Sequence, residues 1–176
     1  MKQTKLKTFA VVSACMMEML SSSAQGVMQR TANYHPDGRG FSCVNGNNRY
    51  TRALYGSVDE WRLETSDRPI FAIFKKNNHR NIRFVIKCNG QAFQLDSVEY
   101  CKARYEAGKR EYLMKDKRWG SGVLKLSVLA YPQTEGAVWK FAAENFGKAK
   151  IEIVGMICET KVSKFKRAGD IGKFDG

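Results

Sequence analysis

Histidine is nearly absent from this sequence of 176 residues, which contains only His35 and His79. Both lie in segments that are typical of turns, and we interpret them as exposed loop residues. No serine or cysteine lies in a nucleophile elbow such as GxSxG. Because Ser-His-Asp and Cys-His hydrolases need a nucleophile beside a base, the sequence assigns no catalytic residue.

Motifs for metals and phosphates are also missing. The cysteines form no CxxC pair, and their spacing does not match a zinc site. The glycine-rich segments Gly38-Arg39-Gly40 and Gly120-Ser121-Gly122 do not open a predicted helix, and neither continues into the Gly-Lys-Ser/Thr of a P-loop. We interpret both as turns, and we expect no metal and no cofactor.

No apolar run reaches the roughly 20 residues that a transmembrane helix needs. A shorter apolar stretch over residues 9–20 follows three lysines and precedes small residues that end at Ala24. This order is typical of a secretory signal peptide. We therefore predict a signal peptide over residues 1–24 and an exported protein, periplasmic or at the cell surface. An alternative uses Val12-Ser13-Ala14-Cys15, which resembles a lipoprotein box and would place a lipid anchor on Cys15.

Acidic residues are few compared with basic ones. Lysine and arginine number 30 against 17 aspartates and glutamates, which gives a net charge of +13. Such charge favours anionic partners, including nucleic acid, acidic glycans or a lipid surface. The basic residues are spread along the chain, as on a solvated outer face, and the export signal argues against nucleic acid.

Four cysteines follow the predicted signal peptide: Cys43, Cys88, Cys101 and Cys158. An even number in an exported protein permits two disulfides, with three possible connectivities. The alternative is that all four are buried thiols that pack as small apolar side chains.

Alternation of apolar and polar residues dominates the rest of the chain. The clearest case is a hairpin over residues 82–96, in which Asn89-Gly90 forms a two-residue turn of the type that needs positive φ at both positions. The register then places Cys88 opposite Gln91, Ile86 opposite Phe93, Phe84 opposite Leu95, and Arg83 opposite Asp96.

Similar patterns predict further short strands, separated by turn-forming residues. They cover residues 61–65, 70–74, 98–105, 110–115, 123–131, 137–141 and 151–158. Short strands at this spacing favour an all-β fold, an antiparallel β-sandwich. We predict one domain over residues 25–176.

Tryptophans are the candidates for carbohydrate binding, because exposed aromatic rings stack on sugars. Trp119 lies in a predicted turn beside Arg118, and we propose these two residues together with Trp61. The alternative is that the rings cover the domain's own apolar surface. A glycosidase would need two convergent carboxylates. The sequence alone brings no two together among the available ones, which are Asp59, Glu60, Glu64, Asp67, Glu99, Glu106, Asp116 and Glu144.

Several strings resemble a known family. They are Asn48 to Gly56, Glu64 to Ala72, Lys115-Asp116, Gly120 to Ala130, and Arg167 to Gly172. These segments are similar to the N-terminal β domain, domain-of-unknown-function family 4450, of large exported proteins that look like six-hairpin glycosidases. The resemblance implies a β-sandwich in a carbohydrate context, followed in such proteins by a helical domain.

The resemblance implies that members of the family continue beyond the position of Gly176, so we expect the helical domain to be lacking here. The chain is either truncated or split from that domain, or a free-standing β domain. We expect an exported, non-catalytic sandwich with a structural or carbohydrate-contacting role in polysaccharide degradation, and an apolar patch near Phe165 and Phe174 where the missing domain would pack. The alternatives are an independent glycan-binding module and a small hydrolase or lyase that acts on acidic glycans.

Overall fold

The computed structural model describes residues 33–56, 61–75 and 78–159. Within these ranges every regular element is a strand, apart from two single turns of 3-10 helix at Leu95–Ser97 and Lys117–Trp119. The predicted signal peptide, Cys15, the Arg167 to Gly172 string, and the patch near Phe165 and Phe174 lie outside the described residues. The strands are β1 (His35–Asp37), β2 (Gly40–Val44), β3 (Tyr50–Tyr55), β4 (Trp61–Ser66), β5 (Ile70–Lys75), β6 (Asn78–Cys88), β7 (Gln91–Gln94), β8 (Tyr100–Glu106), β9 (Lys109–Lys115), β10 (Val123–Ala130), β11 (Ala137–Glu144) and β12 (Ile151–Glu159).

These strands form two antiparallel sheets that pack as a sandwich, which confirms the predicted fold class. The first sheet has the strand order β1-β2-β8-β9-β10-β11. The second has the order β12-β6-β5-β4-β3, with β7 paired to β6. No described helix is long and apolar enough to cross a membrane.

The long strand β6 organises the second sheet. It pairs with β12 over residues 80–88, so β5 and β7 share its other edge, one after the other. Asn89 and Gly90 have φ values of 49° and 84°, and this positive φ confirms the predicted turn. The pairs Cys88 with Gln91 and Ile86 with Phe93 are also confirmed.

The predicted pairing is wrong at the end of the hairpin away from the turn, where Phe84 was paired with Leu95 and Arg83 with Asp96. β7 stops at Gln94 because the chain turns into the 3-10 helix, and Leu95 and Asp96 therefore leave the ladder. Arg83 pairs instead with Ile70 of β5, and its Nη1 lies 3.5 Å from the side-chain oxygen of Gln94. Asp96 accepts a hydrogen bond from Asn48.

The core lies between the two sheets and follows the alternation of each strand. Phe71 of β5 is fully buried at its centre, with edge-to-face contacts to Phe84, Tyr112 and Trp139 at ring distances of 5.8–6.0 Å. Such aromatic pairs add about 1 kcal/mol each beyond the area that they bury. The fixed ring geometry joins strands of both sheets.

The three N-terminal strands were not predicted. β1 has only three residues, and the pattern of β3 is interrupted by an irregularity in register between Tyr50 and Arg52. His79 was predicted to lie in a turn, and this is wrong, because β6 begins at Asn78 and includes it. Its ring packs 4.8 Å from that of Phe74 in the second sheet, whereas His35 belongs to the first sheet.

All four cysteines are free thiols in this structure, and Cys43, Cys88 and Cys101 are buried. Burial raises the pKa of the Cys101 thiol to about 12. Cys43 pairs with Ala103, Cys88 with Ile151, and Cys158 with Asn81. Cys88 and Cys158 are therefore about 23 Å apart along the ladder, too far for a disulfide.

We predict that only Cys158 reacts with a thiol reagent in the native protein. In a protein that begins at Gln25, mass spectrometry should find one label before unfolding and four labels after unfolding without reductant. A Cys158→Ser variant should take up no label while it is folded. Fewer than four labels after unfolding of the unreduced protein would show that a disulfide is present and would contradict the prediction.

Candidate functional site

A polar cleft of about 600 Å³ opens beside the N-terminal strands. Its lining combines one exposed imidazole, a hydroxyl, side-chain amides and one apolar contact: Asn33, His35, Ser42, Val44, Asn45, Gly46 and Asn47. Amides and hydroxyls both donate and accept hydrogen bonds. The cleft can therefore bind a neutral, hydroxyl-rich ligand.

Behind the cleft, Tyr34 connects its rim to a buried polar network. Tyr34 lies between two cleft residues in the sequence, and its hydroxyl donates a hydrogen bond to Asp67 Oδ1. Thr51 Oγ1 donates to the same oxygen over 2.7 Å. At the cleft wall, a Cβ on Gly46 would lie 2.6 Å from that of Asp67, so only glycine fits there.

The cation of this network is Arg110, whose side chain is fully buried. Its Nη2 donates to Tyr34 Oη over 2.7 Å and to the Ser66 carbonyl over 2.9 Å, and lies 3.4 Å from Asp67 Oδ1. The Tyr112 hydroxyl donates to the same carbonyl over 2.7 Å. Burial raises the pKa of Tyr34, so this phenol stays neutral and serves as a hydrogen-bond donor at neutral pH.

Arg68 joins three loops near the same place. Its Nε donates to the Gly46 carbonyl over 3.0 Å, and its Nη1 donates to the carbonyls of Asp96 and Val98 over 2.9 and 2.8 Å. These bonds tie the loop after β2 and the turn before β8 to the turn between β4 and β5. The loop that forms one wall of the cleft is therefore held in place.

The tryptophans proposed for carbohydrate binding are buried in this structure. Trp61 and Trp119 are each only 4 % exposed, and both belong to the core. Trp119 Nε1 donates to the Gly122 carbonyl over 3.0 Å, and its ring stacks on Phe93 at 5.8 Å. A buried ring offers no face to a sugar. Trp61 and Trp119 therefore pack in the core and do not serve as stacking platforms, contrary to the prediction.

Arg118 stabilises the turn that contains Trp119. Its guanidinium forms two bonds of 2.6 Å with Asp116 and lies 3.5 Å from the centre of the Phe93 ring. Burial alone would raise the pKa of Asp116, but hydrogen bonds from Arg118 and from the backbone of Arg118 and Glu99 lower it to about 2. Arg118 is thus engaged in structure, with part of its side chain still exposed.

Each described carboxylate that the sequence offered for glycosidase chemistry has a basic partner. The pairs are Glu64 with Arg62, Asp67 with Arg110, Glu99 with Lys117, Glu106 with Arg104, Asp116 with Arg118, and Glu144 with Lys125. A general acid in a glycosidase needs a raised pKa, whereas Asp37, Glu106 and Asp116 have lowered ones. Among the described residues, no group of acids, histidines and cysteines could hold a metal ion. Asp59 and Glu60 lie outside the described ranges.

Sequence reasoning missed both the cleft and the network behind it. The cleft is formed by residues 33–47, in which the sequence showed turns rather than strands. The network joins residues 34, 51, 67 and 110, which lie far apart in the chain. The strings that carried the family resemblance contain Thr51, Asp67 and Asp116, and those residues proved to be structural anchors.

The geometry defines a two-sheet antiparallel sandwich with a polar surface cleft and a framework of buried ion pairs. The family model described as a domain of unknown function, DUF4450, matches residues 78–175, more than half of the chain. The chain belongs to this family, as predicted. No curated protein and no solved structure matches it.

We predict that Arg110→Met lowers the free energy of unfolding by about 3 kcal/mol, because it leaves the buried Asp67 carboxylate without its cation. Urea denaturation measures this loss. In the double variant with Asp67→Asn, the total loss should be clearly smaller than the sum of the two single losses. Additivity of the two substitutions would show that the two groups are not coupled.

We predict that Asp116→Asn destabilises the protein by roughly 2 kcal/mol at pH 7. The lowered pKa means that the ionised carboxylate stabilises the fold above pH 4, and that this contribution is lost as the pH falls towards 2. The stability difference between wild type and variant should therefore shrink over this window. A difference that stays constant from pH 7 to pH 2 would contradict the assignment.

Proposed function

We propose that this domain is an exported, non-catalytic β-sandwich of a polysaccharide-degradation protein, which contacts carbohydrate through the polar cleft. The observation that carries the proposal is the cleft itself, with an open volume of about 600 Å³ and a lining of amide, hydroxyl and imidazole groups. Binding sites for small molecules typically combine a concave shape with a few fixed polar groups. Sugar hydroxyls match groups that both donate and accept.

Two features support a binding role without chemistry. The carboxylates considered for catalysis and described in the structure are ion-paired, and the pKa values of Glu106 and Asp116 are lowered, which favours permanent ionisation over proton donation. The two histidines belong to different sheets. The glycosidase-like context and the export signal come from the family resemblance and from the order of residues 1–24.

The wall of the cleft is rigid where the proposal needs it to be. Asn45 Oδ1 accepts from the Cys101 backbone over 2.8 Å, and the Asn45 amide N–H donates to the Cys101 carbonyl over 2.8 Å. These two hydrogen bonds tie the loop after β2, which lines the cleft, to β8. His35 and Asn47 both line the cleft and are exposed, so they remain available to a ligand. A fixed wall lowers the entropic cost of binding, because few groups become ordered when the ligand binds.

We predict that the double variant His35→Ala, Asn47→Ala loses binding to the oligosaccharides that the wild type binds. Affinity gels and calorimetry measure this binding. The expected change is at least tenfold in Kd, because about 1 kcal/mol is lost with each hydrogen bond. Gln91→Ala, which removes an exposed amide at the Asn89-Gly90 hairpin, is the matched control and should bind normally. Unchanged binding by the double variant, or no binding by the wild type across a broad panel, would refute the cleft assignment. Turnover of a glycan by the purified domain would refute the non-catalytic role.

A further inference from the structure

The outer face of the first sheet carries a second depression next to the polar cleft. This basic groove has a volume of about 230 Å³, and the side chains on its outer surface are Lys102, Arg104, Glu111, Leu113, Lys125 and Ser127. The ring of Tyr112, which belongs to the same stretch of β9, is 2 % exposed and faces the core. The groove floor is therefore Leu113, and its walls are charged.

The strand register makes the cleft and the groove parts of one surface. A row of directly paired residues crosses all six strands of the sheet: His35, Ser42, Arg104, Glu111, Ser127 and Lys140. A parallel row runs through Val44, Lys102, Leu113, Lys125 and Ala142. Ser42 and Val44 line the cleft, and their direct partners Arg104 and Lys102 line the groove. At about 4.8 Å per strand, the first row spans about 24 Å.

The charge changes along this surface. No lysine, arginine, aspartate or glutamate is among the described residues that line the cleft, whereas the groove end carries Lys102, Arg104 and Lys125. Each of these has a carboxylate partner: Asp37 for Lys102 at 2.9 Å, Glu106 for Arg104 at 2.5 Å, and Glu144 for Lys125 at 2.7 Å. Lys109, Lys115 and Lys140 lie on the same face, where basic side chains outnumber the carboxylates.

We propose that the cleft and the groove form one extended binding surface for an acidic polysaccharide, with sugar hydroxyls in the cleft and the anionic groups of following sugars beside Lys102, Arg104 and Lys125. This inference rests on the proposed function and names its substrate class. An extended chain fits a surface that is long and shallow. Leu113 offers an apolar contact for the carbon face of a sugar ring.

The surface fits an acidic polysaccharide better than a nucleic acid. Single strands need aromatic side chains on which bases stack, and the one ring at the described groove is turned inward. A duplex needs many cations that are free to neutralise closely spaced phosphates. Here carboxylates alternate with the cations, which suits a polymer whose charges are farther apart.

The test compares three ligands on the full-length mature protein: an oligouronate, the same oligosaccharide with its carboxyl groups reduced to alcohols, and a sulfated oligosaccharide of equal length. Calorimetry should show that the oligouronate, the sulfated form or both bind more tightly than the neutral form. Their affinity should fall as salt is raised, because exposed charges are screened. The two anionic ligands distinguish carboxylate from sulfate as the recognised group.

The matched variants are Lys125→Ala and Lys87→Ala. The two lysine side chains are 47 % and 49 % exposed, and each is paired with a glutamate, but Lys87 lies in the second sheet. Lys125→Ala should weaken binding of the anionic ligand roughly fivefold, and Lys87→Ala should leave it unchanged. Circular dichroism verifies that both variants are folded.

Equal affinity for the neutral and anionic ligands, with no effect of Lys125→Ala, would overturn this inference and leave the proposed function standing if His35→Ala, Asn47→Ala still abolishes binding. Single-stranded and duplex DNA are measured in the same way at the same salt, and tighter binding of either DNA than of any oligosaccharide would also overturn it. Absence of binding to all three oligosaccharides would overturn both proposals.

Discussion

The burial of Arg110 is the constraint on which much of this sandwich depends. A guanidinium remains charged in a protein interior, and its desolvation is costly unless hydrogen bonds and an opposite charge compensate. Asp67, Tyr34 and the Ser66 carbonyl provide part of that compensation, all through Nη2, and the Tyr34 and Tyr112 rings face the guanidinium, whereas its Nε and Nη1 have no hydrogen-bond partner in the described part of the chain. Because Arg110 is in the first sheet and Ser66 ends a strand of the second, the network fixes the separation of the two sheets at this point.

The same network explains why the cleft has a defined shape. Tyr34 can reach Asp67 only if the chain before β1 runs close to the turn between β4 and β5, and Arg68 holds the loop after β2 in that region. Both walls of the cleft are thus anchored by buried polar groups rather than by apolar packing alone. The family string Glu64 to Ala72, which contains Asp67 and Arg68, supplies these anchors.

Local sequence patterns predicted the architecture well. Alternation and the Asn89-Gly90 turn are local signals, and they identified the hairpin and most of the strands. They failed where a distant segment decides the outcome. β7 ends at Gln94, where the chain turns into the 3-10 helix, and β5 pairs with the next part of the same edge of β6, which no short-range pattern reveals. Trp119 was misjudged for a similar reason, since a tryptophan in a turn looks exposed until Phe93 and Phe146 are known to pack against it. The polar network was invisible because its members meet only in the folded chain.

Cys158 has a consequence for how the domain can be handled. Its side chain lies on the outer surface of the second sheet, because the neighbouring Ile157 pairs with the inward-facing Ile82. The proposed binding surface lies on the opposite side of the sandwich. A single thiol at this position is a natural point of attachment, through which the protein can be immobilised on a sensor or carry a fluorophore in one known orientation, with the cleft and groove directed away from the support.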